Sequence, residues 1–263
     1  MRRRNKIYYR RKRRVGLNSR RGLDFVLILI FIFALYWFLF KTPYFSIKKV
    51  DILKDSCSFS SCLSAGVDRE IEKFIDKRNN FFLLKTNELS YNIKSKFPWI
   101  KEVEVKKKFP DAVLIRIINR KPVGIFCQKE DSCFLLSEEG VIFSPFKEQE
   151  DKKGLVVIFV SEEKTPQLGQ RVIEEDVVSN LIFLNKEMNK LEISLKKVEI
   201  SPFKIKVETD KNFKILFSRN TYFREQIEIL IKTLQRVISK QEQEHLQYID
   251  LQGVEEGGKI YWK

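Results

Sequence analysis

The chain has 263 residues, of which 43% are hydrophobic and 32% charged, and its formal net charge is +15 at pH 7. The charge is concentrated: the first 22 residues hold eleven Arg or Lys and no acid, so residues 23–263 carry only +4. This distribution excludes a strongly basic nucleic-acid-binding body. The length beyond the first 40 residues suffices for one large domain or two small ones, each with its own core.

Residues 25–40 form a long apolar run, and thirteen of the sixteen are Phe, Leu, Ile or Val. A membrane-spanning helix needs about 20 apolar residues, with a range of roughly 17–25, so we expect the span to cover 23–40. A buried core helix would carry small or polar residues on one face. A cleaved signal peptide would end in a small-residue cleavage site, whereas this run ends in FLFKTPYFS. The sequence therefore favours an uncleaved signal anchor.

The basic tail at 1–22 sets the expected orientation, because basic residues are retained on the cytoplasmic side. The tail interleaves aromatic and basic residues, a composition also found in nucleic-acid-binding segments. Next to a membrane span, attraction to anionic lipid is the better interpretation, at about 1 kcal/mol per basic residue near the surface. We expect membrane lipid, and no nucleic acid, as the partner of the tail. The rest of the chain is expected outside the cytoplasm.

Hydrophobic periodicity after the span predicts the order β-α-α-β-β over residues 41–121. Asp68 and Thr86 are candidate caps for the two helices, and Pro98 ends the second helix. The predicted strands are 45–53, 100–107 and 113–118.

The pattern of apolar residues in 122–263 predicts a second domain with a mixed or antiparallel sheet and two helices. The helices are expected at 174–190 and 222–240, the latter with apolar residues at helical spacing from Ile227 to Ile238. The predicted strands are 123–127, 133–136, 141–143, 155–160, 198–200, 204–209, 213–217, 248–251 and 259–263. The fold class is therefore α+β, with a single transmembrane helix followed by two domains.

Four cysteines form two close pairs, Cys57 with Cys62 and Cys127 with Cys133. Two local disulfides, free thiols and a metal site all remain open. The spacing between Cys127 and Cys133 fits structural zinc poorly. If these residues are exported, disulfides are the favoured interpretation.

No pattern in the sequence points to catalysis. The lone histidine, His245, lies in a polar link and is expected to be solvated. The sequence contains no nucleophile motif, Walker loop or dinucleotide fingerprint. We expect no enzyme activity, cofactor, metal or small-molecule substrate. An anchored enzyme with a site assembled from scattered residues is the alternative.

Several short motifs, each different from the others, follow one another along the chain. They are Phe97-Pro98-Trp99-Ile100, Val103-Glu104-Val105, Phe109-Pro110-Asp111, Ile115-Arg116-Ile117, Arg120-Lys121-Pro122-Val123, residues 135–143, Tyr248-Ile249-Asp250-Leu251 and Ile260-Tyr261-Trp262. Together they resemble the FtsQ/DivIB family of bacterial cell-division proteins. The resemblance implies a basic tail at 1–22, an anchor at 23–40, a POTRA domain at 41–121 and a β domain at 122–263.

Several of these motif residues have structural roles of their own. Trp99 is expected to cover the core beside the second helix, Pro122 to mark the hinge between domains, and Gly140 to occupy a tight turn with positive φ. The chain departs from the family pattern at Asn119, where the family carries an acidic residue before Arg-x-Pro. That departure leaves the polar pairing at the junction without its usual acid.

The resemblance implies a bitopic scaffold of the divisome at the septum, with membrane-protein partners of the FtsB/DivIC and FtsL type. A free edge on the last strand would accept a partner strand by β-augmentation, and an ordinary core strand is the alternative. The candidate contact residues are Tyr248, Lys259, Ile260, Tyr261 and Trp262. A membrane-anchored POTRA-type export or translocation component is the alternative function.

Overall fold

The computed structural model describes residues 19–54, 64–77, 80–129, 132–146, 154–160, 166–254 and 260–263. Within these ranges the α-helices are α1 Ser19–Lys41, α2 Ser64–Lys77, α3 Thr86–Lys96, α4 Glu175–Lys190, α5 Phe223–Arg236 and α6 Lys240–His245. The strands are β1 Lys49–Lys54, β2 Ile100–Lys108, β3 Ala112–Asn119, β4 Pro122–Lys129, β5 Ser132–Ser137, β6 Ile142–Pro145, β7 Val156–Val160, β8 Leu195–Ile200, β9 Lys204–Thr209, β10 Lys214–Ser218, β11 Tyr248–Asp250 and β12 Tyr261–Trp262.

Helix α1 contains the predicted apolar run. Among the described residues it is the one helix long and apolar enough to cross a membrane, over Leu23–Lys41. Its 19 residues rise about 28 Å at 1.5 Å each, close to the thickness of a bilayer's hydrocarbon core. No residue in its most apolar window is buried against the protein, so these side chains are available to lipid.

Helices α2 and α3 follow the first strand and pack with a three-stranded sheet of order β1-β3-β2. Strand β1 pairs with β3 in parallel, and β2 pairs with β3 antiparallel. The alternating strands and amphipathic helices of this unit enclose one core. It includes Val67, Ile71, Leu89, Ile93, Ile100, Val113, Ile115 and Ile117. This is the predicted β-α-α-β-β order of a POTRA-type domain.

The predicted strand at 45–53 was wrong in its first half. Pro43–Phe45 form a turn of 3-10 helix, and β1 begins only at Lys49. Pro43 occupies the first turn, where its fixed φ suits a helical start and its missing N–H costs no hydrogen bond. Phe45 is buried, so its apolar character reflects tertiary packing and not strand alternation.

The predicted helix caps were also wrong. Helix α2 begins at Ser64, so Asp68 lies inside it, and its carboxylate contacts Lys54 Nζ at 2.6 Å. At the start of α3, Lys85 occupies the cap position, its side chain makes no capping hydrogen bond, and Thr86 is the first helical residue. Both predicted helices are present, but each begins at a different residue from the one predicted.

The other nine strands form a mixed sheet of order β12-β11-β10-β9-β8-β7-β4-β5-β6. The pairs β4–β7, β7–β8 and β10–β11 are parallel and the rest are antiparallel. Helices α4 and α5 contribute to a large core with Val198, Ile205, Phe213 and Phe217. A smaller cluster of Ile125, Cys127, Leu135 and Phe143 uses the alternate residues of β4 and β5.

The helix predicted at 222–240 is shorter than expected, and a separate short helix follows it. Helix α5 ends at Arg236, and Val237, which was placed on its apolar face, is exposed. The hydroxyl of Ser239 accepts a hydrogen bond from the Glu242 amide at 3.3 Å, and the Glu242 carboxylate accepts one from the Ser239 amide at 2.8 Å. This capping box starts α6, so the predicted count of two helices in this domain was wrong. His245 is exposed, as expected, but it ends α6 instead of lying in a link.

The turn between β5 and β6 requires a glycine. Gly140 has a φ of +74°, and a Cβ there would lie 2.0 Å from the carbonyl oxygen of Ile173. Its own carbonyl accepts a hydrogen bond from the Val172 amide at 2.9 Å. Gly154 has a similar φ of +78°, but a Cβ there would meet nothing within 4 Å.

This pair of glycines separates backbone strain from steric clash. Gly154→Ala should lower the free energy of unfolding by about 1 kcal/mol, the cost of a left-handed alanine. Gly140→Ala should lower it by about 3 kcal/mol or more, because the new methyl group also displaces the Ile173 carbonyl. Denaturant titration of the full chain in detergent measures both values. Equal losses would contradict the predicted clash.

Candidate functional site

Strand β12 forms one edge of the nine-stranded sheet. It pairs antiparallel with β11, with Trp262 opposite Ile249 and Tyr261 opposite Asp250. Strand β11 in turn pairs with β10 in parallel. Within the described ranges no strand lies on the far side of β12, so that side is an edge.

The backbone of Trp262 faces outward from this edge. Tyr248 and Lys263 exchange two backbone hydrogen bonds, both 3.2 Å long. In an antiparallel pair, residues that exchange hydrogen bonds alternate with residues that do not. Trp262 therefore directs its N–H and C=O away from β11, where an added strand finds its donor and acceptor.

The side chains of this edge differ in exposure. Ile260 is half-buried and packs against the large core, so it holds the segment to the protein. Tyr261 is 58% exposed and Trp262 is 46% exposed. Tyr248 is half-buried in β11. The structure thus brings together four of the five predicted contact residues, and Lys259 lies outside the described residues.

An open groove beside Trp262 was not predicted from the sequence. Its walls come from Trp262, Lys263 and the polar residues of α6, including Glu242, Glu244 and His245. Hydrogen bonds from the backbone and hydroxyl of Ser239 lower the pKa of Glu242. The groove therefore presents carboxylates next to an exposed indole. The Ser-x-x-Glu spacing at 239–242 is the sequence signal that places α6 there.

The structure describes one of the two predicted cysteine pairs. Cys127 and Cys133 lie directly opposite in β4 and β5 and form a disulfide in the structure. Cys57 and Cys62 lie outside the described residues, so their pairing stays a prediction. Among the described residues no group of three or more His, Cys, Asp or Glu is placed to hold a metal ion.

Three charged side chains join the two sheets, and we call them the junction clamp: Lys101, Arg120 and Glu139. Lys101 Nζ lies 2.6 Å from one Glu139 carboxylate oxygen, and Arg120 Nη1 lies 2.8 Å from the other. Arg120 also donates from Nε to the Pro98 carbonyl at 3.1 Å and from its backbone amide to the Trp99 carbonyl at 2.9 Å.

An apolar contact made by Trp99 lies next to the clamp. The Trp99 ring packs against buried residues of both sheets. The chain has no acid at 119, but the charge partner of Arg120 comes from Glu139 in the β5–β6 turn. No local pattern indicates this pair, because its members are 19 residues apart in the chain.

The contacts of the clamp stabilise the charged form of the Glu139 carboxylate. Burial alone would raise the pKa of Glu139, but hydrogen bonds from Lys101, Ser137 and its own backbone, with the charge of Arg120, lower it to about 2. The hydrogen bond and the charge of Glu139 raise the pKa of Lys101 in return. Glu139 is therefore ionised at neutral pH.

The structure combines one helix apolar enough to cross a membrane, a POTRA-type unit and a large mixed sheet with an open edge. Comparison with known families identifies the two folded parts. The family described as "POTRA domain, FtsQ-type" matches residues 69–120, and "Cell division protein FtsQ/DivIB, C-terminal" matches residues 126–252. These ranges cover about two thirds of the chain and stop before β12.

Curated relatives carry the same names. The chain is 43% identical to the cell division protein FtsQ of Rickettsia typhi over 65 residues, 25% of this chain and 24% of that protein. It is 25% identical to the cell division protein DivIB of Clostridium tetani over 166 residues, 61% of this chain and 59% of that protein. In each case the match covers less than two thirds of the relative. The chain belongs to the FtsQ/DivIB family of cell-division proteins.

The clamp makes the stability of the chain depend on pH. The pKa of Glu139 is lowered from 4.5 to about 2, so its contribution is present above about pH 4.5 and is lost as the pH falls towards 2. Glu139→Gln should lower the free energy of unfolding at neutral pH by about 3 kcal/mol. The difference from wild type should shrink below about pH 4.5. Denaturant titrations between neutral pH and about pH 2 measure it.

The matched control is Glu138→Gln, which removes the same charge from the neighbouring exposed position. This variant should stay within about 0.5 kcal/mol of wild type. A loss as large as that of Glu139→Gln would mean that the net charge of the turn, and not the clamp, is responsible.

Proposed function

We propose that this chain is a single-pass membrane scaffold of the bacterial divisome. In this proposal residues 1–22 lie in the cytoplasm, α1 crosses the membrane, and both sheets lie outside. Family membership supports the role in division, and the basic tail before α1 supports the orientation. The scaffold recruits and regulates other division proteins at the septum and transforms no substrate.

We infer that partners bind by adding a strand to β12. The observation that carries this inference is the outward-facing N–H and C=O of Trp262 at the edge of the sheet. Exposed Tyr261 and Trp262 rings supply contact area of the kind that dominates protein interfaces. The expected partners are membrane proteins of the FtsB/DivIC and FtsL type, as the family resemblance implies.

The groove beside α6 adds a preference for charge. A strand paired with β12 would lie near a groove whose lining holds Glu242 and Glu244 together with Lys263. These carboxylates favour a partner segment with a basic residue near its contact with Trp262. The ion pair would form at an exposed rim, so it would select and orient the partner more than it strengthens binding.

Localisation tests the role in division. A fluorescent protein fused to the N-terminal tail should concentrate at midcell in dividing bacteria, because the exported sheets bind septal partners. A matched fusion that ends after Lys41 keeps the tail and α1 and should spread evenly over the membrane. An even distribution of the full-length fusion would contradict the scaffold role.

The strand model is tested by separating the backbone of Trp262 from its ring. Trp262→Ala removes the ring and keeps the N–H, and should weaken partner binding about tenfold. Trp262→Pro also removes the outward N–H and should weaken it about tenfold further, while proline is tolerated on an edge strand. Binding of the purified partner to the full chain, measured by calorimetry, gives both values.

Deleting residues 258–263 should abolish that binding while the three-stranded sheet stays folded. Two results would count against the strand model. Undiminished binding after the deletion would remove β12 from the interface. Equal affinities of the Trp262→Ala and Trp262→Pro variants would show that the interface uses the ring alone.

A further inference from the structure

A continuous set of aromatic rings connects α1 to the three-stranded sheet. The ring centroid of Phe38 in α1 lies 5.7 Å from that of Phe45, and the centroid of Phe40 lies 6.3 Å from that of Phe82. Phe45 in turn contacts Phe82 at 5.1 Å and Phe109 at 5.9 Å. The end of the apolar helix and the base of the sheet therefore share one aromatic cluster.

Backbone and side-chain hydrogen bonds fix this contact. The Asn80 side-chain amide donates to the Leu39 carbonyl near the end of α1 at 3.0 Å. The backbone amide of Phe81 donates to the Phe45 carbonyl at 2.8 Å, and Ser46 and Asn80 form an isolated β-bridge. Leu39 and Phe40 are consequently half-buried, unlike the exposed residues earlier in the helix.

The cluster lies at the level of the last turn of α1. Lys41 and Phe45 are four residues apart, a distance of at most about 14 Å in a fully extended chain. The real separation along the helix is smaller, because Phe45 contacts Phe38, which lies about 4.5 Å before the helix end. Phe82 contacts Phe40 at the same level. With α1 across a bilayer, these rings stand at the boundary between headgroups and acyl chains.

Four apolar side chains around this cluster are exposed, and we call them the juxtamembrane patch: Tyr44, Phe82, Leu83 and Phe109. They are between 42% and 69% exposed, with Phe109 the most exposed. Exposed Lys107 and Lys108 precede Phe109, and Lys107 Nζ donates to the Phe81 carbonyl at 2.8 Å. Aromatic rings flanked by basic side chains are the composition that binds the interface of an anionic bilayer.

We propose that the juxtamembrane patch inserts into the headgroup–acyl boundary and docks the three-stranded sheet on the membrane surface at which α1 ends. The lipid bilayer is the occupant because the patch is continuous with the span and lies at the depth of its last turn. The proposal rests on the membrane anchoring of the proposed function and is independent of partner binding at β12.

A photo-crosslinking residue in the full chain tests the proposal. p-Benzoylphenylalanine replaces Phe109, and the protein is irradiated in nanodiscs of phosphatidylethanolamine and phosphatidylglycerol. Mass spectrometry should find phospholipid adducts at this position. The same residue in place of Phe203, which is 87% exposed in the turn after β8 and outside the cluster, should give none.

A third probe in place of Phe33, in the middle of α1, reports on the anchoring itself. Adducts at 33 without adducts at 109 would overturn the docking proposal and leave the anchor intact. No adducts at either position would reject the anchor as well. Protein adducts in place of lipid adducts at 109 in irradiated cells would assign the patch to a protein partner and overturn the proposal.

A second variant separates insertion from mere closeness to the membrane. With the probe at 109, Leu83→Ser should reduce the lipid-adduct yield about fivefold, because an apolar side chain leaves the interface. Leu83 is 52% exposed and makes none of the ring contacts between α1 and the sheet, so the fold should be retained, which circular dichroism checks. An unchanged yield would show that the tether alone brings position 109 to lipid and would overturn docking by the patch.

Discussion

The direct passage from β3 into β4 is the constraint on which the arrangement of the two sheets depends. Only Arg120 and Lys121 separate the last residue of β3 from the first of β4. Arg120 is held by two carbonyls of the 98–99 segment and by Glu139. The Trp99 ring fills the space between the cores. Charged contacts around one shared ring therefore fix the direction in which the larger sheet starts.

Elements with a complete apolar repeat could be predicted from the sequence, and elements decided by distant contacts could not. Helix α4 was predicted at 174–190 and lies at Glu175–Lys190, because its own apolar face defines it. The helix predicted at 222–240 stops early, although Ile238 is still buried. The apolar repeat continues there, but the capping box at Ser239 restarts the chain in a new direction. Phe45 was read as a strand residue because nothing local reveals the rings of α1 that bury it.

The same division applies to the candidate site. The aromatic residues of β12 are visible in the sequence, whereas the position of β12 at the edge follows from an order of nine strands that no local pattern contains. The outward direction of the Trp262 backbone depends on register with β11. Asn119 stands where the family pattern has an acid beside Arg120, and the acid that pairs with Arg120 comes instead from a turn 19 residues away. The sequence therefore identifies the candidate residues, whereas their positions in the sheet and their partners require the structure.

The hydrogen bond from Asn80 to the Leu39 carbonyl has a mechanical consequence. Together with the contacts of Phe38 and Phe40, it couples α1 to the first sheet, so a rotation of the helix about its own axis would turn that sheet with it. The junction clamp passes the same rotation to the second sheet. In the proposed arrangement, with α1 across the membrane, the rotational position of α1 about its own axis therefore sets the direction in which β12 faces.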